Sequence, residues 1–310
     1  MKKRLKTIWV IIVAVLLLVA LLQMDGAALW YSLRHIPLWL VFAMLAMQIA
    51  VQLLINLQWF QISRLVGTPI AFWDMFYINS QGALMDSITP GVKFGGEITR
   101  GVLISRFAKC SGEGAAAMVA LQKMFSLSAL FFVVLFTASG FMGSVAYVAV
   151  ILLLAAFVVA FAIPHKFKER LQGKGGKVRG FLVTFFIQLE GVRKNKGHCA
   201  KLALLSLFIW LLYPARMYLI AIQFYPEANL AQIAAITFTA YMVAMLPIFP
   251  GGLGGFEATM SGLLVAAGFI IADAAIITIF FRFATFWFVM LLGLAFIGAY
   301  KIRRKGDGVG

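Results

Sequence analysis

The chain reads as an all-α polytopic membrane protein, with six spanning helices and two re-entrant or broken-helix hairpins arranged as an inverted-topology repeat. Composition gives the class. Of 310 residues 63% are hydrophobic and 12% charged, and mean hydropathy is +0.97. A soluble domain has no use for that much apolar surface, and the apolar runs are too long and too weakly alternating for barrel strands. Charge placement gives the topology: most of the 27 Lys and Arg lie in short segments between apolar runs, the positive-inside pattern reinforced by anionic lipid. The net charge of +16 therefore points to a membrane surface rather than to nucleic acid. A duplicated phrase gives the repeat. Pro90-Gly91-Val92-Lys93-Phe94-Gly95-Gly96-Glu97-Ile98-Thr99 and Pro250-Gly251-Gly252-Leu253-Gly254-Gly255-Phe256-Glu257-Ala258-Thr259 share Pro, Gly, Gly, Glu and Thr at matching places, 160 residues apart.

The whole of 1–310 forms one transmembrane domain. Met1 to Lys6 is basic and precedes an apolar run that is too long, and followed by too poor a cleavage site at Gln23-Met24-Asp25-Gly26, for a signal peptide. It is expected to remain as the first span. The six spans cover about 7–24, 36–60, 114–138, 141–163, 201–224 and 275–299, each near the ~20 residues a bilayer requires. Two further apolar stretches, 71–105 and 231–268, contain the Pro-Gly phrases. Pro and Gly break helices, so each stretch is expected as a hairpin of two half-helices. Between spans four and five, the loop 164–200 is strongly basic. Within it, Phe181, Leu182, Phe185, Phe186 and Leu189 recur at helical spacing between charged ends, which suits a helix lying on the cytoplasmic surface.

The cations orient this set. Lys2, Lys3, Arg4 and Lys6, Arg64, Arg106 and Lys109, the loop 164–200, and the tail residues Lys301, Arg303, Arg304 and Lys305 all fall inside if both termini are cytoplasmic; Arg34 is the basic residue of an outer loop. Each hairpin must then cross twice or not at all. A shift of 160 residues maps span two onto span five, hairpin onto hairpin, and span three onto span six. Repeat 1 (about 36–138) and repeat 2 (about 201–299) run in opposite senses. Inverted repeats with broken helices are a transporter arrangement.

Chemistry concentrates at the phrases. A charge near the bilayer centre costs about 2.5–3.5 kcal/mol on insertion scales, so Glu97 and Glu257 each need a partner, a proton or water. Helical spacing puts Lys93 and Arg100 on the Glu97 face. No basic residue lies within a turn of Glu257, so it needs a more distant partner, with Arg216 and Arg282 as candidates. Lys123 is the near-counterpart of Arg282. These charges either lock the hairpins or serve the substrate, and the two roles are compatible. The glycines Gly91, Gly95, Gly96, Gly251, Gly252, Gly254 and Gly255 permit positive φ and leave backbone N–H groups at a helix start, an anion site; the alternative is close helix packing. Asn79, Gln81, Asp86 and Thr89 either line a polar cavity or bond between helices. Asp86 faces Leu246 in the repeat register, so the hairpins are chemically unequal. Trp30, Trp39, Trp59 and Trp73 read as interfacial anchors. His35, His165 and His198 fall in loops away from any nucleophile, and neither metal-ligand spacing nor a P-loop occurs. No catalytic residue, metal or cofactor is expected. Cys110 and Cys199 sit in basic loops and are expected as free thiols.

At these phrases the chain resembles a known family. Thr89-Pro90-Gly91 with Gly95-Gly96-Glu97 and Arg100 is similar to its first motif, Leu246-Pro247 with Pro250 to Gly254 and Glu257 to its second, and Arg282 with Thr285-Phe286-Trp287 to a third. The family is the lysylphosphatidylglycerol synthase transmembrane region, also called flippase-like or UPF0104 proteins. The resemblance implies movement of a modified or anionic phospholipid, or a polyprenyl-linked lipid, across the cell membrane, without the cytoplasmic synthase domain that some members carry. Gln122-Lys123 departs from the acidic–basic pair expected there.

A lipid flippase-like transporter is therefore the leading expectation, its partners being membrane lipids and a lipid-synthesis enzyme that docks at the cytoplasmic face. A headgroup would enter between the repeats. The alternatives are a proton-coupled transporter of a small polar solute and the membrane part of a lipid-aminoacylation system.

Overall fold

The computed structural model describes residues 36–89, 94–137, 176–246 and 250–306, together with positions 30, 31, 34, 148, 151–155, 158 and 159. All regular structure among them is helical. In chain order the helices are α1 (Leu38–Leu65), α2 (Phe72–Ile88), α3 (Phe94–Phe107), α4 (Gly112–Thr137), α5 (Lys177–Lys194), α6 (Lys196–Phe224), α7 (Leu230–Ala244), α8 (Gly255–Ala266), α9 (Ile271–Arg282) and α10 (Phe288–Gly306). A 3₁₀ turn (Pro250–Gly252) precedes α8, and a π turn (Phe283–Trp287) joins α9 to α10.

Among the described residues four helices are long and apolar enough to cross a membrane: α1, α4, α6 and the run Ile271–Arg304 through α9 and α10. They fall on the expected spans 36–60, 114–138, 201–224 and 275–299. The expected span 7–24 and most of 141–163 lie outside the described residues. Each apolar stretch with a Pro-Gly phrase is two short helices, as expected: α2 then α3, and α7 then α8. With 17, 14, 15 and 12 residues at 1.5 Å per residue they are about 18–26 Å long, short of the ~30 Å hydrocarbon layer. Asn229 starts α7 firmly, its side chain accepting from the Ala231 N–H at 2.8 Å and the Gln232 N–H at 3.2 Å.

The chain packs as two compact units, each drawing on both sequence halves. One comprises Met1–Gln48, Asp86–Phe94 and Tyr213–Leu291; the other comprises Ile49–Met85, Gly95–Leu212 and Leu292–Gly310. In the first, α8 packs on α7 and α9 around Leu40, Met44, Met217, Phe256, Met260 and Phe281. In the second, α5 packs on α4 in a core that includes Trp59, Ile62, Met118 and Leu121.

Polarity is distributed as a membrane helix requires. Along α1 the outward residues are Leu38, Trp39, Phe42, Ile49 and Leu53, whereas Gln48, Asn56, Gln58 and Ser63 are buried. Lipid offers no hydrogen bonds, so these polar groups must find partners inside the protein. In the second unit the Asn56 amide donates to the Phe72 carbonyl at 3.0 Å, and the Asn79 amide donates to Asn56 Oδ1 at 2.9 Å. Asn79 thus bonds between helices. Gln58 Nε2 donates to the Ser206 hydroxyl, and Gln122 Nε2 donates to Gln58 Oε1 at 3.0 Å, which ties α1, α4 and α6 together.

Two expectations are corrected and a third is refined. Trp59 is a core residue rather than an interfacial anchor, because α1 turns it toward Ile62 and Met118; Trp39 and Trp73 are exposed as expected. His198 lies in the first turn of α6 rather than in a loop. Helix α5 is present where the 177–195 pattern put it, but one side is docked on the protein: Leu189 and Val192 are buried, and Gln188 Nε2 donates to the Gly114 carbonyl at 3.0 Å.

Asn56→Leu removes the acceptor for the Asn79 amide and should destabilise the protein by about 1–3 kcal/mol. Asn56→Leu/Asn79→Leu should recover part of that loss, since no polar group is then stranded at this contact. Thermal unfolding in detergent checks the order of the three proteins.

Candidate functional site

Both phrase glutamates end up ion-paired, each within its own unit and each to a cation from a span-length helix later in the chain. Glu97 sits in the first turn of α3, where a carboxylate complements the helix dipole. Its Oε1 accepts from Arg100 Nη1 at 2.8 Å and from Lys123 Nζ at 2.7 Å. Arg100 is the i+3 partner read from spacing, and Lys123 comes from α4. Lys93, Gly91 and Pro90 lie outside the described residues. The Arg100 side chain lies against the bare backbone of Gly82 on α2, so close that a Cβ there would sit 2.6 Å from the guanidinium carbon.

The neighbouring residue explains the departure at Gln122-Lys123. Consecutive helical positions point about 100° apart. Lys123 turns to Glu97, while Gln122 turns to Gln58 and through it to Ser206. The neutral amide is built into a neutral network and leaves the charge pairing to Lys123.

Around Glu257 the geometry is tighter. Gly251, Gly252 and Gly254 adopt φ of +60°, +73° and +83°, the left-handed region that glycine enters without strain. Gly251 also has no room for a side chain: a Cβ would lie 2.8 Å from the Ser87 carbonyl oxygen and 3.2 Å from Phe286. This turn launches α8 with Glu257 in its first turn. The Gly254 N–H donates to Glu257 Oε2 at 2.7 Å, and Arg282 Nε donates to Glu257 Oε1 at 2.8 Å. Arg282 Nη2 donates to the Gly251 carbonyl at 2.7 Å. Its guanidinium lies 4.8 Å from the Phe256 ring centre and 4.3 Å from that of Phe286, which adds cation–π attraction. Arg282 therefore clips the glycine turn to the acid, with aromatic rings covering it.

Exposure separates the two pairs. The Lys123 side chain is 34% exposed and that of Arg282 8%. The carboxylates are alike, 14% for Glu97 and 16% for Glu257, and Arg100 is 12% exposed, so the difference between the two clusters lies in Lys123.

The other expected site residues are placed as follows. Arg216 is fully buried in α6 and does not serve as the salt-bridge partner drawn for Glu257; it donates to Gln48 Oε1 and lies 4.8 Å from the Tyr213 ring centre. Asp86 is half-buried in the last turn of α2. Gly95 and Gly96 are helical residues of α3, not positive-φ turn residues. Gly255 begins α8. The expected anion site at the start of α8 is modified in one respect: the Gly254 amide is already taken, by the protein's own Glu257.

Sequence reading missed the π turn, the rings on Arg282 and the Gly82 cradle. Phe286 lies four residues after Arg282, a same-face spacing that could have flagged it. Gly82, lying outside both phrases, carries no such signal.

The arrangement joins Glu257 of the second phrase to Arg282 and Phe286 later in the chain. The sequence pattern of the lysylphosphatidylglycerol synthase TM region matches residues 7–293. The chain belongs to this family. It is similar to a UPF0104 membrane protein of Methanothermobacter thermautotrophicus, 24% identical over 318 aligned residues that cover 93% of each chain. A second match to a UPF0104 membrane protein of that organism is 34% identical over 100 residues, 31% of this chain and 29% of the other. A UPF0104 membrane protein of Pyrococcus horikoshii is 30% identical over 128 residues, 41% of this chain and 36% of the other.

Gly251→Ala should cost at least about 1–2 kcal/mol from the left-handed backbone alone, with the Ser87 contact adding to it. Arg282→Gln should cost about 3–5 kcal/mol by stranding Glu257. Arg282→Gln/Glu257→Gln should be more stable than Arg282→Gln. Unfolding midpoints in detergent test the series.

Proposed function

We propose that the protein is a flippase-like transporter that moves a phosphate-bearing lipid headgroup between leaflets: an anionic or modified phospholipid, or a polyprenyl-linked lipid. Family membership supports the lipid-related reading. The observation that carries it further is the pairing of Glu97 with Lys123 and Glu257 with Arg282 directly after two helix breaks. An acid–base pair at a break is a poor structural economy in an apolar layer, because well-packed hydrophobic residues of similar volume are often as stable or more so. It is useful, however, as an exchangeable contact.

The exchange follows from the chemistry of the Glu257 cluster. Arg282 offers a planar fork suited to phosphate as well as to carboxylate. A headgroup phosphate that displaces Glu257 replaces one anion by another at Arg282, and the displaced Glu257 carboxyl takes up a proton, so neither a bare cation nor a bare anion is left in the low-dielectric interior. The released carboxylate frees the Gly254 N–H at the start of α8, which is itself a phosphate donor group. Lys123 and Arg100 give Glu97 the same exchangeable character, with Lys123 the more exposed cation. We take the reaction as transport without covalent chemistry. By the positive-inside rule we place both termini on the cytoplasmic side of the cell membrane.

Purified protein in proteoliposomes should accelerate transbilayer movement of a headgroup-labelled phospholipid. Glu257→Gln and Glu97→Gln keep the side-chain shape but weaken the grip on their cations, and each should change the rate by about tenfold or more, the scale of one charge-assisted hydrogen bond. Native rates in both variants would refute the assigned roles.

A further inference from the structure

A second concentration of positive charge lies away from the phrases, wholly within the unit that holds Glu97. Tyr77 of α2, Leu103, Arg106 and Phe107 of α3, and Tyr300, Lys301 and Arg304 of α10 line a cavity of about 320 Å³. That volume is at the low end of the range for small-ligand sites. Arg304 is the last residue of the apolar run Ile271–Arg304, so the cavity opens where a span ends.

Its walls are set in place. Tyr77 and Tyr300 stack with ring centres 4.4 Å apart. The Tyr300 hydroxyl donates to Asp74, which lies outside the lining. The Arg304 guanidinium lies 5.3 Å from the Phe107 ring centre and 5.7 Å from that of Tyr300, so its fork is held rather than roaming. The Tyr77 hydroxyl accepts from Gln81 Nε2 at 3.1 Å, which leaves its own hydrogen to donate. Among the described residues no carboxylate pairs with Arg106, Lys301 or Arg304. Cations do suit helix C-termini, which carry roughly −0.5 charge each; the ends of α3 and α10 offset about one of the three charges and the Asp74 carboxylate behind Tyr300 another, which leaves a net positive site. The surplus, the fixed fork and the spare hydroxyl donor describe an anion receptor with an aromatic wall.

We propose that Arg106, Lys301 and Arg304, with the Tyr77 hydroxyl, bind a phosphate group at the end of this span. The phosphate belongs either to a lipid headgroup or to a soluble anion. The site is distinct from the acid–base pairs and does not rest on the transport reading.

The test uses the full chain in detergent micelles at low ionic strength, because contacts to exposed charges are screened by salt. Native mass spectrometry counts bound phosphatidylglycerol against phosphatidylcholine, and titration calorimetry measures inorganic phosphate. Arg106→Gln/Arg304→Gln should weaken binding by about tenfold or more in the arm that binds. Arg303→Gln, an exposed residue outside the lining, should leave it unchanged. Unfolding midpoints confirm that both variants fold. A loss seen with lipid alone identifies a headgroup site; a loss seen with phosphate identifies a soluble-anion site. No binding in either arm, or equal losses in the double variant and Arg303→Gln, would overturn the proposal.

Discussion

The constraint that governs this protein is that a charge surrounded by apolar residues must be neutralised by the protein itself. Glu257 shows how far that requirement reaches. Its two oxygens are taken by Arg282 and by the Gly254 amide, and Arg282 is in turn held by the Gly251 carbonyl and two phenylalanine rings. The turn can bring these groups together only because Gly251, Gly252 and Gly254 take positive φ. Backbone conformation, ion pairing and aromatic cover are therefore one unit, and the helix break cannot be altered without disturbing the acid.

The same requirement acts more loosely at Glu97. Two cations share one carboxylate oxygen, and one of them, Lys123, is partly exposed. The two sites solve one problem with different rigidity: a planar arginine clipped at several points in one, and a flexible lysine with a helical neighbour in the other. That difference matches the inequality of the two phrases, which share Pro, Gly, Glu and Thr positions but differ between them.

Much of this was legible because membrane sequences are simple to read at coarse scale. Unbroken apolar runs can only be helices, so α1, α4, α6 and the run through α10 followed from length alone. Pro and Gly marked both breaks. Arg100 was readable from i,i+3 spacing. The partner choice of Glu257 was narrowed to Arg216 or Arg282 and no further, since nothing in a one-dimensional pattern says which of two spans faces a given turn. Trp59 was misread for a related reason: a tryptophan near a span's end looks the same whether the helix turns it to lipid or to the core. The π turn after Arg282 adds a residue to one turn, a local change in helix register that hydropathy does not register.

That π turn is the feature that ties fold to site most closely. With ordinary α geometry, Arg282 and Phe286 would lie one turn apart on a single face. Phe286 meets both the Arg282 guanidinium and the space over Gly251. A π turn leaves a helix with fewer regular hydrogen bonds than it could make, and such turns are frequent at functional sites. Its residues, Phe283–Trp287, follow Arg282 directly and include the ring that covers it, which puts the irregular turn at the acid–base clip rather than elsewhere in a 34-residue run. The buried arginine is neutral in effect there because ring, carbonyl and carboxylate meet it together.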